Sequence, residues 1–194
     1  PLMITTHRKI ETAIRLKKFY STMSNAFNLW SIENGIPLNK FRFTTTPNSE
    51  YLADFYNTNL KKYIVSANAE RFNNSKIAVR LNDGSGFYAY GLKQKIHFFY
   101  CHKFKDCGNE VYDGRNSFLF TMEFSIGKFI TSLYSTTSES WTRQEWLNSC
   151  KYGNWDNVNA STPDKRHACA RLIQIDGWEI KPDYPWNSSA IPQS

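Results

Sequence analysis

Four cysteines offer the first spacing with chemical content: Cys101, Cys107, Cys150 and Cys169. Four cysteines allow three disulfide connectivities. These fall as two local pairs, 6 and 19 residues apart. Local pairing, Cys101–Cys107 with Cys150–Cys169, is the simplest reading. Closing a loop of about 20 residues is worth ~3 kcal/mol in the chain-entropy account. Two disulfides imply an oxidising compartment. Four free thiols are the alternative. Zinc is a third, because His97, Cys101, His102 and Cys107 lie within one short stretch. Zinc sites favour C-x₂₋₄-C or H-x₃₋₅-H spacing. Cys101 and His102 are adjacent, and on a strand they would point to opposite faces.

Other chemistry is sparse. The sequence has no G-x-G-x-x-G, Walker A, H-E-x-x-H or G-x-S-x-G motif. His167, among Arg166, Ala168 and Cys169, is predicted to sit exposed at a helix start, without a catalytic role. Asp83, Asp113 and Asp176 each precede glycine, which marks them as turn formers. They are the only basis for a calcium alternative, and their spacing does not converge several oxygen ligands. No other cofactor is expected. Sequons begin at Asn73, Asn159 and Asn187. With no nucleophile–base pair, metal spacing or phosphate loop, a non-enzymatic role is expected.

The elements that must position these residues begin with a long helix. Ala13, Leu16, Tyr20, Met23, Phe27 and Trp30 recur at alternating spacings of 3 and 4, and Ile10, Ile14, Phe19, Ala26 and Leu29 widen the stripe. Gly35 and Pro37 end it. A helix over 4–34 would be about 46 Å long, longer than a compact chain of this size needs, so its first turns should protrude. His7, Arg8 and Lys9 would sit where the helix dipole disfavours cations, and Lys9 occupies the place of a capping-box acid. The expectation is that the helix begins upstream of residue 1. Arg8, Lys9, Arg15, Lys17 and Lys18 against Glu11 then read as a basic juxtamembrane flank, or as the solvated face of a soluble helix.

The rest reads as an α+β head. Thr46-Pro47 caps a helix over about 47–64. Lys76–Leu81, Phe87–Tyr90, Ile96–Tyr100, Phe118–Phe124 and Phe129–Tyr134 alternate as strands of an antiparallel meander of four or five strands. Asn82–Gly86 is a turn. Thr142-Arg143-Gln144-Glu145 is a capping box for a short helix ending near Gly153. Thr162–Asp164 opens another, running to about Gln174. Asp176-Gly177 turns the chain into Trp178–Ile180. Of 194 residues, 41% are hydrophobic, 16% aromatic and 21% charged; Lys and Arg number 24 against 17 acids, for a net charge of +7. No apolar run approaches the ~18 residues of a membrane span. Outside the first 20 residues the charge excess is about +3, too little to favour nucleic acid as a partner.

HRKIETAIRLKKFYSTMSNAFNLWSIENG, His7 to Gly35, closely resembles the segment just after the membrane-embedded part of prepilin-type proteins, the type IV pilins and type II secretion pseudopilins. Pro1 resembles the proline near the end of their hydrophobic anchor. CARLIQIDGWEIKPDYPW, Cys169 to Trp186, is similar to the closing segment of one pilin-like group. VRLNDGSGF (79–87) and YDGRNSFLF (112–120) resemble its two sheet turns. The processing site, hydrophobic segment and acidic residue of that family would precede residue 1. The resemblance implies one pilin-like domain over 1–194: helix 1–35 packed on an antiparallel sheet, a globular head 36–186 with short extra helices and a disulfide-clipped C-terminal region, and a flexible tail 187–194. It implies a structural subunit of a bacterial envelope filament for secretion or adhesion, anchored to the inner membrane before assembly and facing the periplasm or exterior. The partners would be other pilin or pseudopilin subunits. A DNA- or ligand-binding minor pilin is the alternative.

Overall fold

The computed structural model describes residues 2–107, 112–133, 137–153 and 166–186. Helix α1, Leu2–Asn34, has 33 residues, about 50 Å at 1.5 Å per residue. It stops as the glycine and proline require. Gly35 has φ 64°, and the Ile36 amide donates to Ser31 O while the Gly35 amide donates to Ile32 O. That hydrogen-bond pair closes a helix only when the residue after the cap is left-handed.

Six strands form one antiparallel meander: β1 Glu70–Arg71, β2 Lys76–Arg80, β3 Gly86–Leu92, β4 Lys95–Cys101, β5 Ser117–Glu123 and β6 Lys128–Ile130. The register places Phe98 opposite Phe120, Tyr100 opposite Phe118 and Ile96 opposite Met122. These rows face α1. Phe19 stacks on Tyr100 at 4.4 Å and meets Phe120 edge-on at 4.9 Å. Phe27 sits against Phe98, Phe124 and Phe129. Trp30 packs on Phe41 and Phe55, and its Nε1 donates to Asn59. Offset and edge-on ring pairs of this kind add to simple area burial.

Strand β5 is buried on both faces, so its alternation marks the helix-facing row rather than a solvent boundary. The sheet has one strand more than expected, because β1 is only two residues long and carries no periodic signal. The sixth strand ends at Ile130, short of the predicted Tyr134; residues 134–136 lie outside the described residues.

The second helix starts later than Thr46. Helix α2 is Ser49–Phe55, capped by Asn48, whose side chain accepts from the Tyr51 amide. It runs on through a π turn, Tyr56–Leu60, and a 3₁₀ turn, Lys61–Tyr63. Pro47 is not its first residue because Pro47 is buried over β3: a Cβ on Gly91 would meet its Cγ at 2.3 Å.

Helix α3, Arg143–Tyr152, has the full capping box between Thr142 and Glu145, and Gly153 ends it at φ 70°. Helix α4 is Cys169–Ile175; its proposed start at Thr162–Asp164 lies outside the described residues. Asp176-Gly177 is a helix stop, with the Trp178 amide donating to Ile173 O. Trp178–Ile180 follows that stop and forms no described strand. Trp178 itself is left-handed, φ 64°, which lays its ring on Tyr20 at 5.5 Å.

Candidate functional site

Helix α1 has two faces, and the sequence identified them unevenly. Ala13, Leu16, Phe19, Met23, Ala26, Phe27 and Trp30 are buried. Ile10, Ile14 and Leu29 do not widen the buried stripe. They are exposed by 57%, 62% and 42%, and Ile32 by 77%. Tyr20 lies at the boundary, half-buried against Phe129 and Trp178. The described side chains before residue 12 are exposed or half-buried, so the first turns carry little of the core.

The five cations of the flank divide. Arg15 folds back onto the head: its Nη2 pairs with Glu11 at 2.9 Å and its Nη1 donates to His102 O at 3.3 Å. Lys18 reaches Asp83 at 3.4 Å. Arg8 and Lys17 are exposed, and Lys9 is half-buried. Lys17 shares the outward side with Ile10 and Ile14.

The cysteines pair locally. Cys101–Cys107 and Cys150–Cys169 are both bonded, and no cysteine is free. Zinc therefore has no thiolates to bind. No group of three or more His, Cys, Asp or Glu converges on a metal position among the described residues.

His102 is half-buried with both ring nitrogens covered, and His167 is buried instead of exposed. His102 lies between Tyr100 and Phe118; burial, and secondarily the Arg15 charge, pulls its pKa down to about 4. His167 is 3% exposed, and burial again brings it to about 4. The expectation of an exposed His167 fails because its segment is tied inward: the Arg166 amide donates to Tyr112 O, and Arg166–Ala170 are all buried.

The Asp-Gly pairs act as turn formers. Asp83 Oδ1 accepts from the Ser85 amide. Asp113 Oδ1 accepts from the amides of Arg115, Asn116 and Ser117. Asp176 receives Arg143 through two hydrogen bonds, 2.6 and 2.8 Å, and the same guanidinium reaches Asp183. That clamp, joining α3, the end of α4 and the closing segment, had no sequence signal because its partners are 33 and 40 residues away. Asn73 also makes a turn, accepting from the Ser75 and Lys76 amides. Asn159, Asn187 and the tail 187–194 lie outside the described residues.

Two of the resembling stretches meet in space. Gly114 has φ 74°, and a Cβ there would strike Cys169 Sγ at 2.5 Å. The Tyr184 hydroxyl donates to Gly114 O. The YDG turn and the closing segment thus interlock over the Cys150–Cys169 bridge.

Several hollows border α1 among the described residues. One of about 520 Å³ lies between α1, Ile64–Val65 and the Leu81–Ser85 turn. One of about 360 Å³ lies between α1, β6 and α4. A third, about 240 Å³, opens at the helix's first turns beside His102 and Arg115.

Residues 2–187 match the profile of a family of unknown function, DUF6613. The chain belongs to that family. The match takes in α1, the whole sheet and the closing segment. No curated protein and no solved structure matches the chain. No helix among the described residues is long and apolar enough to cross a membrane.

Proposed function

We propose that this chain forms part of a pilin- or pseudopilin-like subunit of a bacterial envelope filament, with a structural and non-enzymatic role. The observation that carries the proposal is the division of α1. One face is buried along the sheet, while the opposite face presents Ile10, Ile14, Leu29 and Ile32 to solvent on a single continuous helix. Apolar side chains recurring along an exposed helix face suit packing by neighbouring helices. Arg8, Lys9 and Lys17 lie at the same end, where anionic head groups or acidic neighbours would meet them. Both disulfides fit an extracytoplasmic location.

The test is assembly. The complete reading frame is expressed in a pilus-competent host, and sheared surface filaments are examined by electron microscopy and immunogold labelling. Incorporation, lost on Ile10→Asp with Ile14→Asp while the head still melts as before, is the expected result. A protein that never leaves the soluble fraction, or a head that turns over a substrate, defeats the reading.

A further inference from the structure

The hollow at the foot of the head gathers cations. Arg8 and Arg15 from α1, Lys103 from the loop after β4 and Arg115 from the turn before β5 line it, against two carboxylates, Glu11 and Asp106. Glu11 already pairs with Arg15. Arg8, Lys103 and Arg115 have no ion-pair partner among the described residues. Like charges brought together repel, yet three separate segments hold them in place.

The holding is specific. The Cys101–Cys107 bridge closes the loop that carries Lys103. Asp113 fixes the turn that carries Arg115, through amide bonds of 2.7 to 3.1 Å. The His102 amide donates to Asn116 O at 3.1 Å, joining loop to turn. Arg15 donates to His102 O, joining the loop to α1. His102 cannot add charge, since its imidazole stays neutral until about pH 4.

We propose that this hollow binds a phosphate group. Three of its four cations are arginines, whose planar forks match phosphate oxygens in pairs. A phosphate monoester carries roughly −1.5 to −2 and three acceptor oxygens, whereas a carboxylate brings one charge and two. A volume of about 240 Å³ takes one such group rather than a tracked polymer. The group comes from a lipid head group or from free phosphate. Only the first source rests on the filament-subunit reading, which sets this end of α1 beside the membrane.

The test is calorimetric titration of the 194-residue chain with inorganic phosphate at low ionic strength. One-to-one binding is expected. Lys103→Glu or Arg115→Glu should weaken it about tenfold, the size of one exposed charge-assisted hydrogen bond. Lys40→Glu, an exposed cation past the far end of α1, changes net charge equally and should leave binding within about twofold. Circular dichroism melts confirm that each variant is folded.

A second arm measures retention on phosphatidylcholine vesicles with and without phosphatidic acid, whose head group is a phosphate monoester. Retention that falls with Arg115→Glu but not with Lys40→Glu assigns the head group. Titration effects without a matching vesicle effect assign free phosphate. Absence of saturable binding, or equal weakening by all three variants, overturns the site. Filament assembly that survives Arg115→Glu would still leave the subunit reading standing.

Discussion

His102 and His167 bring their environment into the acid stability of the fold. In an unfolded chain each titrates near 6.5; in the fold each holds its neutral form down to about 4. Between those values the unfolded chain binds more protons, so stability is complete above about pH 7, declines as pH falls through 6.5, and levels near pH 4. Each histidine then contributes a loss of roughly 3 kcal/mol. Urea unfolding at pH 7 and pH 5 should show a drop of about 2 kcal/mol per histidine. His102→Phe, which keeps a ring between Tyr100 and Phe118, should flatten the profile; identical slopes in the variant and the parent would refute the assignment. Gly114 and Gly177, both left-handed, make a second residue-scale contrast. Gly177 has open space around it, while Gly114 abuts Cys169. Gly177→Ala should cost about 1 kcal/mol of left-handed strain, and Gly114→Ala about 3 kcal/mol, because overpacking adds to that strain. Equal shifts in thermal unfolding would mean that the close approach is relaxed at little cost.

At the scale of elements, α1 carries the core through a few side chains. Phe27 is fully buried among three phenylalanines, so Phe27→Ala should cost about 3–5 kcal/mol. Ile32→Ser on the opposite face should cost under about 0.5 kcal/mol, as read by denaturant unfolding. Elements also show what the sequence could reveal. The helix was legible because 3.6-residue periodicity survives from Ala13 to Trp30, about five turns. Its width was not, because Ile10, Ile14 and Leu29 have the residue type of a core face and only packing decides whether a sheet reaches them. The capping box of α3 was legible since all its partners are local. The cap of α2 was not, because Pro47 is held by Gly91, 44 positions along the chain. Of the candidate foot site, Arg8 and Arg15 stood out as charges. Lys103 and Arg115 did not, since nothing local says that a loop and a turn 12 residues apart converge.

The whole molecule is held by one aromatic-rich core and two short covalent loops. The Cys150–Cys169 bridge closes the longer loop, joins the two C-terminal helices and supports Gly114 and Tyr184. Replacing both of its cysteines by alanine should cost about 3 kcal/mol from loop entropy alone. Removing Cys101–Cys107 should cost less in global unfolding, though it frees the segment that carries Lys103. Comparing the two double variants by melting temperature checks the order, and a larger shift for the Cys101/Cys107 pair would reverse it.

Neither bridge crosses from α1 to the sheet. Under a stretching load applied along α1, no covalent bond would resist its separation from the head; the load would fall on the sliding of Leu16, Phe19, Met23 and Phe27 over the strands. Once the head gives way, the bridges withhold slack. They span 6 and 19 residues, which at ~3.6 Å per residue, less the 5.5 and 4.6 Å between the bridged Cα atoms, hides about 80 Å of contour length from extension. A reductant would release that slack, so the chain would have two extended lengths set by the redox state of its surroundings.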